Sequence, residues 1–125
     1  MLKLLLFIGT GGFLGSVSRF LVSRYVQQVF LSAFPYGTLI VNVLGCLLIG
    51  VLYGVFDRNS LVAPEWRMFL VAGFCGGFTT FSAFSIENVG LLRDGDYLYF
   101  FLYTGLSIIL GLGATFSGII ITKYI

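Results

Sequence analysis

Four apolar stretches account for most of this 125-residue sequence, and each is long enough to cross a lipid bilayer. They cover residues 4–26, 38–56, 66–92 and 97–122. A hydrocarbon core about 30 Å thick needs roughly 20 apolar residues per helix. We therefore predict an all-α membrane protein with four transmembrane helices. Because the connections between the stretches are short, the whole chain is expected to form a single transmembrane domain.

Composition excludes several other classes of protein. Hydrophobic residues make up 58% of the chain and charged residues 10%, which leaves too little polar surface for a soluble domain. The cations are scattered singly, so no nucleic-acid partner is expected. The absence of histidine excludes His-based nucleophile activation and His-ligated metals, and we predict no enzymatic activity. Cys46 and Cys75 lie in apolar stretches and are interpreted as packing residues. The first stretch is interpreted as a span because no signal-peptide cleavage site follows it.

The distribution of positive charge gives the chain almost no preferred orientation. With four spans, four cations fall on the side of the termini and three on the other: Lys3, Arg58, Arg67 and Lys123 against Arg19, Arg24 and Arg93. The positive-inside rule therefore hardly discriminates between the two orientations. We predict dual topology and an antiparallel homodimer whose two-fold axis lies in the membrane plane.

The third span contains the segment GFCGGFTTFSAFS, from Gly73 to Ser85. Adjacent glycines, Gly76 and Gly77, followed by Thr79 and Thr80 weaken a helix, so we predict that the third helix is broken near its middle. Such breaks persist in membranes only where protein or a watery cavity satisfies the freed backbone groups, which makes this one a candidate ion site.

The same segment carries four phenylalanines, and they form a single stripe if the helix continues: Phe74, Phe78, Phe81 and Phe84. Such a stripe can face lipid or pack in the core. Alternatively, the positive edges of the rings can contact an anion.

Three further polar residues lie at membrane depth, and each allows a structural or a functional interpretation. Arg19 can extend to the interface or serve a site. Asn42 can join helices or bind a ligand. Glu87 lies near the end of its span and can reach the headgroups. Small residues also recur four apart, which predicts close helix packing at Gly11/Gly15, Gly50/Gly54 and Gly73/Gly77.

Three motifs together resemble the Fluc or CrcB family of small bacterial fluoride channels: GGFLGSVSRF, GTLIVNVLG and GFCGGFTTFSAFSIE. The last motif is the most specific, and the resemblance covers nearly the whole chain. It implies a multi-pass protein of the bacterial inner membrane with four spans, dual topology and two pores in an antiparallel dimer.

The resemblance also implies roles for individual residues. The fluoride path would be lined by Phe81, Phe84, Asn42, Ser107, Tyr103, Thr80 and Thr38. Backbone carbonyls of Gly76 and Thr79 would hold a structural Na⁺ on the dimer axis. Arg19 would keep a vestibule electropositive or brace the structure. The chain carries Gly111 where a further hydroxyl can occur in relatives.

The implied function is passive export of fluoride from the cytoplasm, which protects the cell against fluoride toxicity. A proton-coupled small multidrug exporter is the alternative with four spans and dual topology, but it would need a carboxylate in the first span, and this first span has none. A second alternative is an assembly subunit without transport activity, in which the glycines and aromatics only pack.

Overall fold

A computed structural model describes the whole chain, Met1–Ile125, as helices joined by short connections. We number them α1 (Leu2–Val29), α2 (Tyr36–Arg58), α3 (residues 64–78), α4 (Phe81–Arg93) and α5 (Tyr97–Thr122). Four regions are long and apolar enough to cross a membrane: α1, α2, the α3–α4 pair and α5. The predicted four-helix architecture with a broken third helix is therefore confirmed. Each of the first three spans begins two residues before its predicted start, and the first two end three and two residues after their predicted ends. The added residues include polar ones, which complete the terminal turns.

The third span is irregular before it breaks. α3 begins as an α-helix with Pro64 in its first turn, where the missing N–H costs nothing. Seven residues, Phe69–Cys75, then follow π-helical geometry, and Gly76–Phe78 complete the helix. The interruption itself is at the threonines, since Thr79 (φ −93°, ψ 157°) and Thr80 (φ −149°, ψ 123°) are extended. Gly76 keeps helical angles.

The break divides the phenylalanines into two separate pairs. Phe74 and Phe78 stack on α3 with ring centroids 5.7 Å apart and planes 11° apart. Phe81 and Phe84 form a second pair on α4, also 5.7 Å apart but tilted by 42°. Because Thr79 and Thr80 interrupt the helix, the condition for a single stripe of four phenylalanines is not met.

Helices pack in two main pairs, α1 with α3 and α2 with α5, and small residues allow their backbones to approach closely. A Cβ on Gly73 would lie 3.0 Å from the Cα of Gly11. In the other pair, a Cβ on Gly118 would lie 2.5 Å from the carbonyl oxygen of Leu47. All six glycines of the predicted small-residue pairs lie at helix contacts of this kind.

Polar contacts define the two ends of the bundle. At one end, Lys3 lies 4.0 Å from Glu65, and Arg58 donates to the carbonyls of Thr122 and Ile125. At the other end, Gly95 adopts φ +77° in the turn between α4 and α5, a value that favours glycine. Neighbouring spans therefore run in opposite directions.

Candidate functional site

Asn42 on α2 forms hydrogen bonds with the backbone at the break in the third span. Its Nδ2 donates to the carbonyl oxygen of Thr80 at 3.0 Å, and its Oδ1 accepts the Thr80 N–H at 2.8 Å. One side chain thus satisfies both polar groups of a residue that has left the helical ladder, as backbone within a membrane requires. One N–H of Nδ2 has no protein partner, so Asn42 both joins helices and keeps a free donor.

The same arrangement frees two carbonyl oxygens. In a continuous helix, the carbonyls of Gly76 and Thr79 would accept from the N–H groups of Thr80 and Ala83. Here the Thr80 N–H is bonded to Asn42, and the Ala83 N–H donates to the Thr80 hydroxyl at 3.1 Å, which caps the start of α4. The oxygens of Gly76 and Thr79 have therefore lost their usual donors.

Arg19 lies on α1 and contacts the end of α3. Its Nε donates to the carbonyl oxygen of Gly77 at 3.0 Å. A cation is favourable at this position because the last carbonyls of a helix carry partial negative charge. Of the two roles predicted for Arg19, this contact is compatible with bracing the structure. The other role, an electropositive vestibule, stays a prediction.

Beside the break lies a cavity of about 400 Å³ that opens to the surface of the protein. Its polar and aromatic lining comes from Asn42, Thr79, Thr80, Phe81, Phe84 and Ser107. No lining residue carries a charge. Phe81 belongs to this lining and is 79% exposed. The cavity is thus a concave surface that combines amide, hydroxyl and aromatic groups.

Tyr103 and Thr38 do not line this cavity, and they share a carboxylate. The Tyr103 hydroxyl donates to Glu87 Oε1, and the Thr38 hydroxyl donates to Glu87 Oε2, both at 2.8 Å. Tyr103 is fully buried, and its ring lies 5.0 Å from that of Phe84, which links the cluster to the cavity. Glu87 also lines a smaller hollow of about 290 Å³ beside Gln27 and Asp94.

Ser107 reaches the cavity from α5 with a hydroxyl that is buried and has no hydrogen-bond partner in the chain. One turn further along α5, Gly111 is buried near Cys46, whose sulfur would lie 3.6 Å from a Cβ at that position. This is ordinary van der Waals contact, so a small side chain at position 111 fits the space.

The structure therefore brings together seven of the residues singled out from the sequence: Gly76, Thr79, Asn42, Thr80, Phe81, Phe84 and Ser107. Thr38 and Tyr103 are instead bonded to Glu87, and Arg19 contacts α3 from α1. Sequence reasoning missed that Glu87 joins α2, α4 and α5. Its position at membrane depth was the only available signal, because its partners are 49 and 16 residues away.

Comparison with known proteins identifies the group to which these features belong. The sequence family described as "CrcB-like protein, Camphor Resistance (CrcB)" matches residues 6–119, which is most of the chain. The chain belongs to the CrcB family. Curated relatives agree across nearly the full length of both sequences, so the CrcB assignment applies to the whole chain.

Three of these CrcB relatives carry the name "Fluoride-specific ion channel FluC". The Flavobacterium psychrophilum protein is 46% identical over 98% of this chain and 98% of its own length. The Chlorobium chlorochromatii protein is 48% identical over 96% of this chain and 92% of its own. The protein from Leptospira interrogans serogroup Icterohaemorrhagiae is 45% identical over 97% and 95%, respectively.

Proposed function

We propose that this CrcB protein is a fluoride channel, and not an enzyme, in the bacterial inner membrane, which it crosses several times. It would carry fluoride out of the cytoplasm passively and so protect the cell. The observation that carries this proposal is the uncharged cavity beside the helix break, where an amide, hydroxyls and ring edges converge. The names of the relatives identify fluoride as the ion.

The chemistry of the cavity suits a small, strongly hydrated anion. A selective pore must replace the water around fluoride with several close donors. Asn42 has one free N–H, and the Ser107 hydroxyl has no protein partner. The edges of Phe81 and Phe84 carry partial positive charge. Because none of these groups is a fixed cation, the ion can be held and then released.

The direction of transport follows from acid–base chemistry. Fluoride enters cells as neutral HF in acidic surroundings and dissociates in the more alkaline cytoplasm. The inside-negative membrane potential then drives the anion outward, at about 2.3 kcal/mol per charge for each 100 mV. Passive conduction therefore suffices, and no general acid, base or nucleophile is required.

The finer proposal is an antiparallel, dual-topology homodimer with two pores. It is supported by the near balance of positive charge on the two sides and by the shape of the site. The cavity opens on the outside of the protomer, and Phe81 is mostly exposed there. A second copy covering this surface would enclose the cavity. In that assembly each pore would use Phe81, Phe84, Asn42, Ser107 and Thr80, with Tyr103 and Thr38 at the Glu87 cluster.

A structural Na⁺ is also proposed, and the residues fit it. Carbonyl oxygens are suitable ligands for a hard cation, and those of Gly76 and Thr79 have lost their helical donors. Both residues border the cavity that a partner subunit would cover. When bound, the ion would neutralise carbonyl dipoles that face each other across the dimer axis. Asn42 and Arg19 would keep the two oxygens free by holding the break in place.

Efflux from liposomes tests the function directly. Purified protein in vesicles loaded with potassium fluoride should release fluoride when valinomycin balances the charge, whereas chloride-loaded vesicles should release little chloride. Fluoride release that requires a proton gradient would favour the exporter. No release of fluoride from vesicles that contain folded protein would overturn the channel and favour the assembly subunit.

A further inference from the structure

Gln27, near the end of α1, bonds to the backbone of the α1–α2 connection and to the start of α2. Its Nε2 donates to the carbonyl oxygens of Ser32 at 3.0 Å and Phe34 at 3.2 Å. Its Oε1 accepts the N–H of Gly37 at 3.1 Å. The connection is not helical, so its backbone groups have no regular ladder to join. One side-chain amide therefore holds both the connection and the first turn of α2.

Phe34, one of the residues bonded to Gln27, leads to the cavity through aromatic contacts. Phe34 is buried, and its ring centroid lies 5.6 Å from that of Tyr103, with the ring planes 72° apart. The Tyr103 ring in turn lies 5.0 Å from the ring of Phe84, which lines the cavity beside the break. Such contacts depend on the relative orientation of the rings. Gln27 is therefore connected to the Phe84 ring through two intervening aromatic residues.

Gly37, the other end of this bonding pattern, directly precedes the threonine that binds Glu87. The Thr38 hydroxyl donates to Glu87 at 2.8 Å, and the same carboxylate accepts the Tyr103 hydroxyl. A Cβ on Gly37 would overlap the carbonyl oxygen of Ser23, so the start of α2 lies directly against α1. A shift of this first turn would displace Thr38 relative to Glu87, because Thr38 is the next residue.

Gln27 does not line the cavity, so it can act on the ion only through other residues. It does line the smaller hollow together with Glu87. We propose that Gln27 is a positioning residue of the channel. It holds Thr38 against Glu87 and Phe34 against Tyr103, and so fixes the orientation in which the Phe84 ring meets fluoride. This inference rests on the proposed channel function.

The test replaces Gln27 with methionine, which has a similar length but cannot form these backbone bonds. In liposomes, the fluoride concentration for half-maximal efflux through Gln27→Met should rise by about threefold or more, as expected when a coupled network is disrupted. This concentration separates positioning from stability. Loss of folded protein lowers the maximal rate of efflux but leaves the half-maximal concentration unchanged.

Gln28→Met is the matched control, because it makes the same substitution at the next residue. Gln28 is exposed and forms none of these bonds, so both the melting temperature and the half-maximal concentration should stay unchanged. Should Gln27→Met fail to elute as the unmodified protein does, Gln27→Glu decides by the same criterion. Its carboxylate keeps an acceptor for the Gly37 N–H and lacks the two N–H donors.

A double variant tests whether the effect passes through the residues around Glu87. Tyr103→Phe removes the hydroxyl that donates to Glu87 and keeps the ring. In that background, Gln27→Met should raise the half-maximal concentration by a smaller factor than it does alone, because the network that it supports has already lost a bond.

The outcomes separate this inference from the channel itself. Absence of fluoride flux through the unmodified protein contradicts the channel, and the inference with it. If the unmodified protein conducts and Gln27→Met lowers only the melting temperature, Gln27 merely stabilises the connection, and the inference alone is wrong. Equal factors for Gln27→Met with and without Tyr103→Phe would contradict it as well, because Gln27 would then act independently of the Glu87 contacts.

Discussion

Single side chains decide the chemistry of this site. At Phe81 a packing role and an ion-contacting role make the most different predictions, because this residue is mostly exposed on the surface of the single chain. A ring that only packed would be replaceable by another apolar side chain of similar volume. A ring whose edge meets an anion would not be, because aliphatic hydrogens carry less positive charge.

We expect Phe81→Leu to abolish most fluoride efflux, by about tenfold or more, while the unfolding free energy changes by less than about 1.5 kcal/mol. Phe74→Leu is the control, because Phe74 stacks on Phe78 within α3 and does not border the cavity. Fluoride-electrode measurements on both variants in liposomes give the comparison. Normal efflux from a folded Phe81→Leu, Phe84→Leu double variant would show that both rings only pack and do not contact the ion.

At the scale of helices, close contact between α1 and α3 supports the broken span. A Cβ on Gly11 would overlap the backbone oxygen of Phe69, whereas a Cβ on Gly9 would meet nothing within 4 Å. Both glycines belong to α1 and differ mainly in this contact. They therefore form a matched pair for measuring what the contact contributes.

Gly11→Ala should destabilise the protein by about 1–3 kcal/mol, because the two helices must move apart. Gly9→Ala should leave stability unchanged or raise it by up to about 1 kcal/mol through helix propensity. The stability of both variants is measured by heating the protein in detergent and determining how much of it still elutes at its original position on a gel-filtration column. Equal melting temperatures for the two variants would show that the close approach of α1 and α3 at Gly11 does not contribute to stability.

The freed carbonyls of Gly76 and Thr79 predict a cation dependence. Exchange of sodium for a large organic cation that cannot fit between carbonyls should reduce fluoride efflux slowly, as the proposed site empties. Restored sodium should restore the flux. Unchanged efflux after exhaustive exchange, checked by measuring residual sodium, would contradict a structural Na⁺ that is needed for conduction.

Local sequence was sufficient to predict the helices and the break, but not the contacts that complete the site. Hydropathy and the Gly76–Thr80 composition act within a few residues, so they are readable from a single segment. The pairing of Asn42 with Thr80 joins residues 38 positions apart, and the Glu87–Thr38 bond joins residues 49 apart. Which side chains meet across such long sequence separations depends on how the helices pack against each other. Hydropathy does not report this packing.

At the scale of the whole molecule, the distribution of positive charge determines in which orientation the chain inserts into the membrane. The bundle places Lys3, Arg58 and Glu65 at one end, and the turn at Gly95 at the other. Four cations against three leave little electrostatic preference between the two orientations. Both orientations are needed if an antiparallel dimer is to form from one kind of chain.

Reporter tags on the C-terminus should therefore be found on both sides of the inner membrane. Two or three lysines added to the 94–96 turn should shift the population toward one orientation and reduce fluoride resistance in cells. Co-expression with a variant biased the opposite way should recover resistance. A population of unmodified protein with all tags on one side would exclude dual topology.

The extended pair Thr79–Thr80 also has an electrical consequence. It ends one helix and begins another, so that the negative end of the α3 dipole and the positive end of the α4 dipole meet beside the same cavity. Each end is equivalent to about half an elementary charge of fixed position. Neither carries a proton that can dissociate. Their contribution to the field in the cavity is therefore the same at every pH at which the fold persists, including the acidity at which HF forms.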